Sequence, residues 1–234
     1  MRLTVLPPPR SPFGSTAVGI CCKDGVVLGV QKEILSKMLV PGSGRRIATV
    51  DRHAGLALTG LPPDGRQIAA RAKAEASNYK SFYGETIPAN TLADRVASYV
   101  HLFTLYWSVR IFGTGALLAC YDRDGPALFN VEPSGQCFKY SGSAIGKGRQ
   151  YAKTELEKLK LGELTCREAV VEVAKIIYGS HDESKDKAFE LELSWVCEES
   201  GKEHVRVPKD LAEAAEAAAK AAAEDSDSDS DMDD

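Results

Sequence analysis

FGSTAVGICCKDGVVLGV, from Phe13 to Val30, holds two apolar runs on either side of Lys23-Asp24-Gly25. Asp-Gly between two strand-length runs is turn chemistry, so Ser15–Lys23 and Val26–Val30 are predicted to form a hairpin. The same stretch opens on Gly14-Ser15-Thr16. Cleavage after such a glycine would free a hydroxyl amino acid whose own α-amine can serve as its base. The stretch is therefore either the start of a buried strand or the processing site of a hydrolase.

Working outward, Arg46–Val50 and Ala54–Gly60 read as a second strand pair around Asp51-Arg52-His53, suggesting one antiparallel sheet with the first. Pro62-Pro63-Asp64-Gly65 ends the strands and opens a helix to Tyr83, with Ile68, Ala72, Ala76 and Tyr79 on its inner stripe. A second helix from Asn90 or Thr91 to Val109 carries Leu92, Val96, Val100, Phe103 and Trp107 at helical spacing. Small stripes allow these two helices to pack as one layer.

Gly115–Tyr121, Ala127–Val131 and Gln136–Tyr140 follow as strands, separated by Asp122-Arg123-Asp124-Gly125 and Pro133-Ser134-Gly135. Helices are predicted over Lys147–Leu159 and Thr165–Tyr178, the second opened by a Thr165/Glu168 capping box. Phe189–Val196 alternates as a strand, and an alanine-rich helix runs from Lys209 to Ala223. Strands, two helices, strands, two helices and a strand make an α+β chain. The expected architecture is a four-layer αββα sandwich: two stacked antiparallel sheets flanked by helix pairs. Its expected divisions are a Pro-rich front over 1–14, the sandwich over 15–208, a helix over 209–223 and a disordered acidic tail over 224–234.

The 234 residues, 44% hydrophobic and 26% charged, suffice for one substantial core. The net charge of −4 is uneven, because Glu224–Asp234 holds seven acidic and no basic residues. The remainder carries 29 basic against 26 acidic side chains, too balanced for a nucleic-acid footprint. No apolar run reaches the roughly 18 residues of a membrane span, and Pro7-Pro8-Pro9 interrupts any secretory h-region. Cys21, Cys22, Cys120, Cys137, Cys166 and Cys197 form no C-x-x-C pair and have no histidine at ligand spacing. They read as buried apolar residues of a reducing compartment, with no metal and no cofactor expected. His53, His101 and His181 are likewise read as core or solvated residues.

Five blocks carry a resemblance: STAVGICCKDGVVLGVQKEILSK, VDRHAGLALTGLPPDGRQI, LADRVASYVHLFTLYWSVRIFG, EPSGQCFKYSGSAIGKGRQYAKTELEKL and AKIIYGSHDESKDKAFELELSWV. In this order, over Ser15 to Pro208, they resemble the α subunits of the eukaryotic 20S proteasome, in the alpha type-3 branch and its fungal forms in particular. The resemblance implies the N-terminal-nucleophile hydrolase sandwich without its catalysis. It also implies neighbours: other α subunits, β-ring subunits, and a regulatory particle or other activators, in cytoplasm and nucleus. Residues 1–14, MRLTVLPPPRSPFG, do not match the front segment that gates the axial channel in the family.

The resemblance also sets a test for the opening question. Aligned on Asp24-Gly25-Val26, the pattern of the catalytic β subunits puts Ser15 at the nucleophile, Gln31 at the aspartate and Arg46 at the lysine. Glutamine carries no charge, and arginine stays protonated, so neither does the work of the residue it replaces. Ser15 is expected to start a strand. In the same family the position of Arg46 lies in a pocket between α subunits that receives the C-terminal carboxylate of activators, with Gly14 at the lining glycine. Arginine can hold a carboxylate bidentately. Alternative readings are an interaction protein outside the ring and an active N-terminal-nucleophile hydrolase.

Two further motifs remain. Gly142-Ser-Ala-Ile-Gly146-Lys147-Gly148 resembles a phosphate loop, but it has the wrong glycine spacing and Gly148 where Ser or Thr would bind Mg²⁺. A tight strand-to-helix turn is expected. Ser226, Ser228 and Ser230 each have an acidic residue three positions later, which suits an acid-directed kinase.

Overall fold

A computed structural model describes residues 15–40, 42–181 and 188–230, with side chains through Ala223. Two five-stranded antiparallel sheets form its centre. The first has the order β10-β9-β2-β1-β8, from β1 (Thr16–Cys21), β2 (Gly25–Glu33), β8 (Gly142–Gly146), β9 (Phe189–Cys197) and β10 (His204–Arg206). The second runs β3-β4-β5-β6-β7, from β3 (Ile47–Asp51), β4 (Ala54–Gly60), β5 (Thr114–Asp122), β6 (Gly125–Val131) and β7 (Cys137–Tyr140).

The opening hairpin pairs Ala17 with Val30 and Cys21 with Val26. It does not share a sheet with the second strand pair, contrary to expectation. The reason is burial on both faces. Val18 and Ile20 enter the core under the helices, while Ala17, Val26, Leu28 and Val30 enter the core between the sheets with Leu117, Ala119 and Leu128. A strand buried on both faces shows no alternation that would assign it a neighbour.

Helices α1 (Pro62–Tyr83) and α2 (Ala89–Leu105) cover the second sheet, burying Ile68, Ala72, Ala76, Leu92, Val96 and Val100. α2 ends before Trp107, which is 99% exposed and not on the inner stripe as predicted. The extended backbone at Tyr106 breaks the helical periodicity there. On the first sheet lie the expected pair α3 (Arg149–Lys158) and α4 (Cys166–Gly179), joined by the alanine-rich α5 (Lys209–Ser230), which was expected as a separate helix. Thr165 and Glu168 form the predicted capping box on α4. α5 continues past Ala223 to Ser230, as a helix already nucleated by alanines can propagate.

Two short strands, β8 and β10, escaped the sequence reading. β8 is the stretch expected to be a turn, and it pairs Gly146 with Thr16 along β1. β10 pairs His204 with Val196. His204 ties the sheets together: its ring nitrogens meet Ser194 Oγ at 3.0 Å in the first sheet and Thr49 Oγ1 at 2.9 Å in the second. The ring lies over Gly55, where a Cβ would stand 2.1 Å from it.

Candidate functional site

Ser15 immediately precedes β1 and is buried, and its hydroxyl has no hydrogen-bond partner among the described residues. Thr16 Oγ1 accepts the Gly148 N–H at 3.0 Å. That contact explains the glycine loop. Gly146 takes φ 101°, and a Cβ there would stand 2.0 Å from the Ser15 carbonyl oxygen. Only glycine permits this approach before the chain turns into α3. The Gly148 N–H that a phosphate loop would offer to an anion is committed to Thr16.

Gln31, at the position of a catalytic aspartate, is buried and donates its amide to His181 Nδ1 at 3.0 Å. Arg46, at the position of a catalytic lysine, is half-buried, and its guanidinium donates to the Gly60 carbonyl at 2.7 Å. Its backbone N–H donates to Glu192 Oε2 at 2.8 Å. Burial lowers the Arg46 pKa, while the charges of Glu33 and Glu192 raise it. An arginine so placed remains a cation and cannot shuttle a proton. The strand start therefore lacks both the carboxylate and the tunable amine that acyl transfer needs, and the site is non-catalytic.

The other expected site residues fall elsewhere. Gly14 lies outside the described residues, and Ser226, Ser228 and Ser230 lie beyond the described side chains. His53 is buried and donates through Nε2 to the Ile87 carbonyl at 2.9 Å. His101 is exposed and caps a turn through the Ser134 carbonyl at 3.1 Å. Neither is gathered into a ligand set with His181.

One polar cluster was not legible in the sequence. Asp64, in the first turn of α1, accepts two hydrogen bonds from the Arg110 guanidinium at 2.6 and 2.7 Å and one from the Gly113 N–H at 2.9 Å. The Arg110 pairing holds the carboxyl below its ordinary range, against the effect of burial. This arrangement pins the segment that follows α2. Just before it lies an exposed apolar group of Leu102, Leu105, Tyr106 and Trp107.

The profile of the family described as "Proteasome subunit" matches residues 12–196. The chain is 66% identical over 203 residues to proteasome subunit alpha type-3 of Spinacia oleracea, covering 87% of this chain and 82% of the relative. The corresponding protein of Arabidopsis thaliana is 64% identical with the same coverage. The probable proteasome subunit alpha type-7 of Schizosaccharomyces pombe is 48% identical over 203 residues, covering 87% of this chain and 80% of the relative. The likeness to plant proteins thus exceeds that to the fungal forms expected from the sequence. With a two-sheet sandwich that lacks the carboxylate and the tunable amine of the nucleophile site, and with these relatives, the chain belongs to the proteasome subunit family as a non-catalytic α subunit of the eukaryotic 20S type.

Proposed function

We propose that this chain is a structural subunit of the 20S outer ring. In that role it packs against two α neighbours and the β ring, and it supports passage of ubiquitin-tagged substrates and docking of activators. Its place of work is the cytoplasm and nucleus. The observation that carries this reading is the 66% identity to an alpha type-3 subunit, which extends over most of both chains.

The surface is consistent with an assembled subunit. Leu102, Leu105, Tyr106, Trp107 and Ile111 are all exposed around the end of α2. Aromatic and aliphatic side chains gathered on one face are costly in water and characteristic of interface cores. Beside them, an open cleft of about 430 Å³ between α1 and α2 presents Arg71, Glu75 and Arg95. Glu75 is held between the two arginines at 2.5 and 3.2 Å, a charged rim next to the apolar patch. In a heterologous ring each subunit offers different faces to its two neighbours, and this patch suits one of those faces.

Arg46 is the proposed contact for an activator's terminal carboxylate. Of the five N–H donors of its guanidinium, one is committed to the Gly60 carbonyl, which fixes the direction of the side chain. Glu33 and Glu192 nearby temper its attraction for an anion.

The test is incorporation. A chain tagged at its C-terminus, expressed in plant cells, should co-purify with α and β subunits in a particle of 20S size, in a fixed ratio to the other α subunits. Recovery only as a free chain would sink the ring assignment and favour an interaction protein outside it. Particles carrying Arg46→Ala should keep basal peptide hydrolysis and lose part of their activator stimulation. Equal stimulation would remove Arg46 from the docking site.

A further inference from the structure

The opening hairpin and the start of α4 bring together two thiols and a carboxylate that lie far apart in the chain. Cys22 follows β1, and its N–H donates to the Gly25 carbonyl at 2.7 Å, closing the turn. Lys23 donates its N–H to the Leu164 carbonyl at 3.3 Å, which draws the turn onto the approach to α4. Asp24 Oδ1 accepts the N–H of Cys166, the first residue of α4, at 2.9 Å. The two sulfurs and a carboxylate oxygen of Asp24 all lie within 4.8 Å of one another. Among the described residues this is the one group of three or more cysteine, histidine or acidic side chains gathered this closely. Cys22 is 3% exposed and Cys166 1%, whereas Asp24 is half-exposed and leaves one side of the cluster open to solvent.

We propose that Cys22, Asp24 and Cys166 form a binding site for one thiophilic d¹⁰ cation of the zinc class. Sulfur bonds of about 2.3 Å in a tetrahedral shell place two sulfurs about 3.8 Å apart, so donors already within 4.8 Å need only a small closure around the ion. Two thiolates exclude magnesium and calcium, which take oxygen ligands. An iron–sulfur cluster is also excluded, since it calls for four cysteines and two are present in this group. On binding, each thiol loses its proton to solvent and forms a sulfur–metal bond, with no change in oxidation state. Solvent from the Asp24 side supplies the fourth ligand. In the metal-free chain the hydrogen bond to Cys22, burial and the neighbouring Asp24 push the Cys166 thiol up, so the cation must displace its proton. A bound cation would clamp the β1–β2 turn to α4, joining the first sheet to its covering helices at the sheet end that carries this turn.

The test uses the full-length, reduced chain and cadmium as the probe. One equivalent of Cd²⁺ should bind saturably, with a thiolate-to-cadmium charge-transfer band. X-ray absorption at the cadmium edge should count two sulfur neighbours and the rest oxygen. Cys166→Ser and Asp24→Asn should each weaken binding by at least about tenfold, a loss no smaller than that of a supporting residue around a metal. Cys137→Ser, in the other sheet, should bind as the unaltered chain does. No saturable uptake, a sulfur count other than two, or loss of binding in Cys137→Ser would overturn the assignment. If Cys166→Ser fails to fold, the sulfur count on the unaltered chain and the Asp24→Asn titration decide between the same outcomes.

Discussion

His204→Gln should change the acid response of the fold more than its stability at neutral pH. The imidazole is 7% exposed, sits over Gly55, and uses both nitrogens on hydroxyls of opposite sheets. Desolvation lowers its pKa to about 4, from an ordinary 6.5. The folded chain therefore keeps the ring neutral at pH values where the unfolded chain protonates it. The unfolded state binds the extra proton between 6.5 and 4, so stability rises with pH across that window. The contribution is complete above 6.5, falls by about 1.4 kcal/mol per pH unit below it, and is gone below 4, for a total of about 3 kcal/mol. Glutamine does not titrate. At pH 7.5 it should cost about 1–3 kcal/mol through lost packing and an imperfect hydrogen bond. Between pH 6.5 and 4.5 the stability of the unaltered chain relative to His204→Gln should fall by about 2 kcal/mol, enough to close or reverse the gap. Urea unfolding followed by the emission of buried Trp195 measures it, with Trp107→Phe as background to remove the exposed indole. Parallel pH curves for the two proteins would refute the claim that the fold holds His204 neutral.

Gly55→Ala addresses the same contact from the other sheet. A Cβ 2.1 Å from the imidazole must push the ring off its two hydroxyls, so denaturant titration should show a loss of about 1–3 kcal/mol. The effect should be largely absent in a His204→Ala background. Thr165→Ala removes the N-cap of α4 and should cost about 1 kcal/mol, read as a lower urea midpoint with an unchanged slope. Trp107→Ser should leave the stability of the isolated chain unaltered and lower its yield in assembled particles, because the side chain touches solvent in the free subunit. Peptide mapping of assembled particles should find no mature chain beginning at Ser15 or Thr16; such a start would reopen the question of catalysis.

Much of the architecture was legible because local chemistry punctuates it. Asp24-Gly25, Pro62-Pro63, the Thr165/Glu168 box and the Ile68-Ala72-Ala76 stripe each specify an element through contacts within a few residues, and each stands where expected. The absence of catalysis was legible too, because it depends on residue types. A neutral Gln31 and a permanently charged Arg46 cannot perform their assigned proton chemistry wherever they point.

Relations between distant residues needed the tertiary structure. The first two hairpins join different sheets because β1 and β2 are buried on both faces, and a doubly buried strand carries no pattern that names its partner. β8 and β10 are too short for periodicity and exist through pairing with β1 and β9. His204 owes its low pKa to burial, and its ring meets hydroxyls of both sheets. Cys22, Asp24 and Cys166 show no ligand spacing along the chain; the capping of α4 by the Asp24 side chain is what brings two thiols beside one carboxylate. Sequence alone determined the longer strands and the helices and which chemistry is impossible, since both follow from local residue character. Tertiary packing decided which distant groups share a space, because the energy that assembles them is burial, which acts on whole surfaces and leaves no local trace.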